Sequence, residues 1–282
     1  MCACTRALCA CASGPGDGSP VSIGACMSVE RSAIVTATNS RVLLVTGGGK
    51  RVGATIVQRL HREGWRVAIH YRASADAASA LAASLNAVRA DSAGVFAADL
   101  LDLNALPTLV ERVIAEFGQL DALVNNASMF YPTAIGNIAA ADWSHLIGSN
   151  LQAPLFLSQA AAPHLQRTRG SIVNITDIHA ERPMPGYVVY NVAKAGLRGL
   201  TVALARDLAP DIRVNAVAPG PIAWPDDGQI STVEQARILA QVPLQREGGA
   251  AQIAEAVKYL ICDGDFVTGQ TINVDGGRSI AI

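Results

Sequence analysis

From residue 41 onward, short apolar runs that end in glycine or asparagine alternate with longer stretches whose apolar positions return every three to four residues. The first run is Val42–Val45, closed by Thr46 and three glycines. Unbroken apolar runs of this length fit strands buried on both faces, as in a parallel sheet. Ala54–Glu63 follows at helical spacing, Arg66–Tyr71 reads as a second strand and Ala75–Arg89 as an alanine-rich helix. Gly94–Ala98 predicts a strand, Leu103–Phe117 a helix and Ala122–Asn125 a fourth strand that ends in NNAS. Trp143–Ala162 reads as one long helix, the run from Ser171 as a fifth strand and Tyr187–Leu208 as another long helix. The run from Arg213 gives the sixth strand, and TINVDGG near the C-terminus the last. Such alternation predicts one doubly wound α/β domain with a parallel sheet of about seven strands, helices on both faces, and ligands outside the carboxyl ends of the strands.

Composition sets the boundaries of that domain. Five of the six cysteines lie in the first 26 residues, and only Cys262 lies in the body. Residues 1–38 are therefore read as a tail, expected to be disordered, and residues 39–282 as the folded domain, with Met27 a candidate native start. Zinc on the tail is a poor fit, because its Cys pairs are C-x-C with no histidine nearby, and no metal is expected. The tail also lacks the continuous apolar segment of a secretory signal. A body with one cysteine suits a reducing cytoplasm. Lys and Arg total 22 against 23 for Asp and Glu, which leaves no electrostatic case for nucleic acid or an anionic membrane surface. No apolar run reaches the roughly 18–20 residues of a membrane span. Pro221–Ser231, rich in Pro, Gly and Asp, reads as a mobile substrate loop.

Two motifs carry chemistry. Thr46–Gly53 (TGGGKRVG) joins a strand to a helix, where backbone N–H groups and the helix N-terminus can receive a pyrophosphate; this makes the fold Rossmann-type. The second strand ends Tyr71-Arg72-Ala73-Ser74 rather than in the acidic residue that holds ribose hydroxyls. An arginine and a hydroxyl at that corner suit a 2′-phosphate, and so NADPH. Tyr190 and Lys194 stand four apart at the start of a helix, on one side of it, so the ammonium approaches the phenol and is expected to lower its pKa toward the working range of an acid.

These motifs, with NNA, Asn150 and the Pro219-Gly220 pair, resemble those of the short-chain dehydrogenase/reductase family, from about Arg41 to the C-terminus. The resemblance implies that Gly47, Arg51, Val52, Gly53, Leu100, Asn125, Ala127 and Thr176 line the cofactor, and that Asp99 meets its adenine. It further implies that Asn150 holds a water linked to Lys194, that Lys194 binds the nicotinamide ribose, and that Pro219, Gly220 and Ile222 flank the nicotinamide. Two positions depart from most of the family: Arg51 stands where a glycine is usual, and Asp177, thirteen residues before Tyr190, where a serine is usual. An ionised aspartate repels a developing alkoxide. TG-x3-R-x-G, NNAS-x-F-Y-P-T and the Asp/Tyr/Lys set together resemble the pteridine reductases within the family. That resemblance implies an NADPH-dependent reductase of a pterin. Phe130 would stack the ring, Ser128 and Arg51 would contact substrate or cofactor, and Asp177, Tyr190 and Lys194, with Asn150, would be catalytic, in a homotetramer. The alternatives are a ketone reductase, such as one acting on a 3-oxoacyl thioester, and a non-catalytic dinucleotide-binding regulator.

Overall fold

A computed structural model of the chain describes residues 40–222 and 231–282. The readings made on the cysteine-rich tail, and on most of the Pro221–Ser231 loop, lie outside the described residues. The strands are β1 (Val42–Val45), β2 (Arg66–Tyr71), β3 (Ala93–Ala97), β4 (Ala122–Asn125), β5 (Ser171–Ile175), β6 (Arg213–Pro219) and β7 (Thr271–Val274). They form one parallel sheet in the order β3-β2-β1-β4-β5-β6-β7, the seven-stranded Rossmann-type arrangement expected.

Side chains of β1 alternate between two cores. Leu43 and Val45 pack with Ile56, Val57 and Leu60 of helix α1 (Arg51–Arg62) on one face, whereas Val42 and Leu44 meet Leu106, Leu109 and Val113 of the helix beginning at Ala105 on the other. That two-residue period against two buried faces is why the strand reads as a continuous apolar run. Each fully buried aliphatic side chain contributes about 1.5–3 kcal/mol relative to exposure. From β1 the sheet grows outward in both directions, so the order reverses between β1 and β4, and a crevice opens there at the carboxyl edge. Val45 pairs with Ile69 and with Val124, which brings the ends of β1, β2 and β4 level.

The remaining helices are α2 (Ala75–Val88), α3 (Ala105–Phe117), α4 (Ala140–Ile147), α5 (Ala153–Thr168), α6 (Val188–Asp207), α7 (Thr232–Ala240), α8 (Ala250–Lys258) and the short α9 (Arg278–Ala281). Two expectations are corrected. The first helix starts at Arg51, not Ala54, because its opening turn is polar and small and carries no apolar period. The single helix read over 143–162 is two, α4 and α5, joined by a π-helical turn, Gly148–Gln152. Asp142 Oδ2 accepts from Ala139 N at 2.9 Å and starts α4 earlier, and Asn150 Nδ2 donates to Leu146 O at 3.0 Å, drawing on a carbonyl of the helical ladder.

Candidate active site

The glycine turn after β1 is built for close approach. Gly47 takes φ +61°, and a Cβ on Gly53 would lie 2.2 Å from Gly47 O and 2.7 Å from Asn126 Nδ2. Thr46 and Asn126 lock this turn to the end of β4: Thr46 Oγ1 accepts from Asn126 N at 2.9 Å and from Ala127 N at 3.0 Å, while Asn126 Nδ2 donates to Thr46 O at 2.9 Å. Helix α1 begins without a side-chain cap and without an acidic residue in its first turn, so its terminal N–H groups and dipole stay available to an anion. Arg51 sits exposed at this terminus with φ +51°, a conformation that favours glycine and costs a non-glycine residue about 1–2 kcal/mol. At the next corner Arg72 is exposed, and Ser74 leads into α2 without its side chain capping the helix. These features fit a dinucleotide phosphate chain.

The second cluster lies where β5 meets α6. Asp177 follows β5 and caps a 3-10 turn, Ile178–Ala180, with Oδ1 accepting from His179 N at 2.9 Å. Its Oδ2 accepts from Tyr190 Oη at 2.6 Å. Tyr190 and Lys194 share a face of α6 and are buried, with Lys194 Nζ donating to Ile175 O at 2.9 Å and lying 5.7 Å from the Tyr190 ring centroid. Burial pushes the Lys194 ammonium down to about 8, against the charge of Asp177, which supports the proton. The expected lowering of the phenol is overturned. Burial first, then the charge and hydrogen bond of Asp177, hold Tyr190 well above its ordinary 10. A carboxylate that accepts the phenolic proton stabilises the neutral phenol.

Phe130 closes the cluster from the segment after β4. Its ring lies 4.9 Å from that of Tyr190 at 82°, and one face stacks on Tyr187 at 4.7 Å and 15°. Thr133 fixes the segment to the start of α6: its N donates to Gly186 O at 2.6 Å and its Oγ1 accepts from Val189 N at 3.1 Å. Ser128 is exposed and donates to Asn150 Oδ1 at 2.6 Å. Asn150 also accepts from Met129 N at 3.2 Å and donates to Met129 O at 2.9 Å, so its carboxamide braces residues 128–129.

The structure thus gathers Phe130, Asp177, Tyr190 and Lys194 into one cluster, and Gly47, Arg51, Gly53 and Ala127 around the glycine turn. Val52 and Tyr71 pack partly buried on the adjoining core; Leu100 is buried, and exposed Asp99 accepts from Leu101 N at 3.0 Å. Pro219 ends β6, followed by Gly220 and a partly buried Ile222. Two residues turn inward instead: Asn125 Nδ2 donates to Asn174 Oδ1 at 2.8 Å, and Thr176 Oγ1 to Val217 O at 3.1 Å, leaving only their main chains at the crevice. Sequence reasoning missed Asn126, Thr133 and Tyr187. Asn126 and Thr133 stand within the NNAS-x-F-Y-P-T motif but were given no role, and Tyr187 stands three residues before Tyr190, one helical turn away.

A parallel sheet with this switch-point turn, and a buried Tyr/Lys pair, defines a class of dinucleotide-dependent oxidoreductases. Residues 49–279 match the family model described as enoyl-(acyl carrier protein) reductase. The chain is 38% identical to pteridine reductase 1 of Leishmania tarentolae, over 88% of this chain and 99% of that protein. It is 35% identical to the 3-oxoacyl-(acyl-carrier-protein) reductase FabG of Staphylococcus aureus, over 83% of this chain and 96% of that protein. It is 34% identical to granaticin polyketide synthase putative ketoacyl reductase 2 of Streptomyces violaceoruber, over 86% and 98% respectively. The chain belongs to the short-chain dehydrogenase/reductase family, and is an oxidoreductase of NAD(P)(H).

Proposed function

We propose that the chain reduces a pterin with NADPH. The observation that carries this reading is the 2.6 Å bond from the Tyr190 phenol to the Asp177 carboxylate. Reducing a ring C=N bond needs a hydride at carbon and a proton at nitrogen, so no alkoxide develops beside Asp177. The reduced nicotinamide supplies the hydride when bound. As the C=N electron pair moves onto nitrogen, Tyr190 gives its proton to that nitrogen, and a proton from solvent, relayed through the Asp177 carboxylate, restores the phenol. Asp177 is half-buried, so it can take its own proton from solvent. Lys194 has one N–H committed to Ile175 O and two further donors for the ribose hydroxyls. Phe130, stacked on Tyr187 and beside Tyr190, supplies the aromatic surface for a flat heterocycle. Arg72 and Ser74 support NADPH over NADH, since both can engage a 2′-phosphate and neither repels it. Leu155, Val192 and Val202, exposed on α5 and α6, support assembly of a homotetramer through those helices, and light scattering tests that. Among the described residues no helix is long and apolar enough to cross a membrane; a cytoplasmic location remains part of the proposal.

The test is oxidation of NADPH with dihydrobiopterin, dihydrofolate and an acetoacetyl thioester, for the natural protein and Asp177→Ser. The expected result is kcat/KM for a dihydropterin at least ~100-fold above the thioester, and a ~100-fold or greater loss on Asp177→Ser, the size of a general acid–base contribution. Preference for the thioester, or full pterin reduction by Asp177→Ser, overturns the reading.

A further inference from the structure

His70, the penultimate residue of β2, has no part in the chemistry above and is 1% exposed. Its Nδ1 accepts from Gly47 N at 3.1 Å, its Nε2 lies 3.1 Å from Ala98 O, and its own carbonyl accepts from Gly48 N at 2.9 Å. A donor on one side and an acceptor on the other select one tautomer, with the proton on Nε2. Burial pushes the ring down to about 4, against the Ala98 carbonyl and the charge of Asp99, so it stays neutral at physiological pH. One imidazole therefore ties the turn that faces the pyrophosphate to the end of β3, directly before Asp99 and Leu100. We propose that His70 is a positioning residue for the dinucleotide: through hydrogen bonds to Gly47 and Ala98 it sets the spacing between the phosphate turn and the adenosine side of the crevice. An apolar residue in its place leaves a buried N–H and a buried C=O without partners, and the turn relaxes to find others. The inference rests on the dinucleotide reading of the turn and is independent of the pterin.

Three substitutions separate the two bonds. Asn places an acceptor where Nδ1 stands and keeps the Gly47 bond; Gln places a donor near Nε2 and keeps the Ala98 bond; Leu keeps neither. Dissociation constants for NADP⁺ and for 2′,5′-ADP are measured by calorimetry, with KM for NADPH, kcat and a melting curve for each variant. His70→Leu is expected to weaken both ligands by the same factor, about tenfold or more, the scale of losing a partner that orients a ligand-binding group. His70→Asn recovers most of that loss and His70→Gln less, and the loss falls on KM rather than kcat. Folded His70→Leu that binds both ligands within about twofold of the natural protein overturns the proposal, as does His70→Asn no better than His70→Leu. Should His70→Leu not fold, His70→Asn binding no more tightly than His70→Gln overturns it. Failure of the natural protein to bind NADP⁺ removes the dinucleotide reading itself, which the natural-protein titration shows separately.

Discussion

Replacing Lys194 by methionine should remove turnover and yet cost the fold little or nothing. Burial lowers this ammonium from its ordinary 10.5 to about 8, so the folded chain holds the proton less tightly than the unfolded one. The gap is worth roughly 3 kcal/mol against the fold at neutral pH. Methionine of similar length lifts that penalty and leaves Ile175 O without its donor, a loss of about 1–3 kcal/mol, so the net change at pH 7 is roughly 0–2 kcal/mol toward stability. The pH dependence is the sharper measure. Between about 8 and 10.5 the unfolded state binds more protons, so this group makes the natural protein more stable as pH rises through that window. From pH 7 to 9.5 the gain is roughly 2 kcal/mol, and Lys194→Met lacks it. Urea unfolding followed by the fluorescence of buried Trp65, at fixed protein concentration, reads both numbers. Equal stability gains from pH 7 to 9.5 in the two proteins would refute the reasoning.

Further outcomes follow from the same geometry. Gly53→Ala puts a methyl 2.2 Å from Gly47 O and should cost about 1–3 kcal/mol in stability and at least ~10-fold in dinucleotide affinity; calorimetric binding at natural strength would show that the turn yields freely. His70 is held neutral in the fold, at about 4 against an ordinary 6.5, so acid favours the unfolded chain. Stability should fall by roughly 2 kcal/mol more in the natural protein than in His70→Asn between pH 7 and 5, as read by urea midpoints. Asp177→Asn keeps an acceptor for the phenol but removes the charge that raises Tyr190 and supports the Lys194 proton, so both groups should titrate lower; an ultraviolet phenolate titration differenced against Tyr190→Phe checks the first. Arg72→Asp should shift the ratio of kcat/KM values from NADPH toward NADH by at least ~10-fold, and an unchanged ratio would remove Arg72 from cofactor choice.

The sheet was legible because strands buried on two faces cannot hide: β2 and β4 occur at the boundaries that their apolar runs predict. Helix ends were less so, since they depend on groups with no periodicity, such as the Asp142 carboxylate that starts α4 and the π turn around Asn150. In the site, the Tyr190/Lys194 spacing and the glycine turn were readable as local patterns. The direction of the phenol shift was not, because it is decided first by burial and then by Asp177, which only the fold brings within 2.6 Å. Asn125 shows the same limit: its position at a strand end is local, but its inward turn toward Asn174 is a property of the neighbouring strand.

The backbone tie between Thr133 and Gly186, with the Thr133 hydroxyl receiving Val189 N–H, makes the aromatic plate and the acid one mechanical piece. Anyone retuning selectivity by swapping residues 128–133 alone would therefore also disturb the stretch that seats Tyr190. A transplant that carries Gly186 and Tyr187 along with the swapped segment preserves the seat, and so lets the choice of ring vary while proton delivery is conserved.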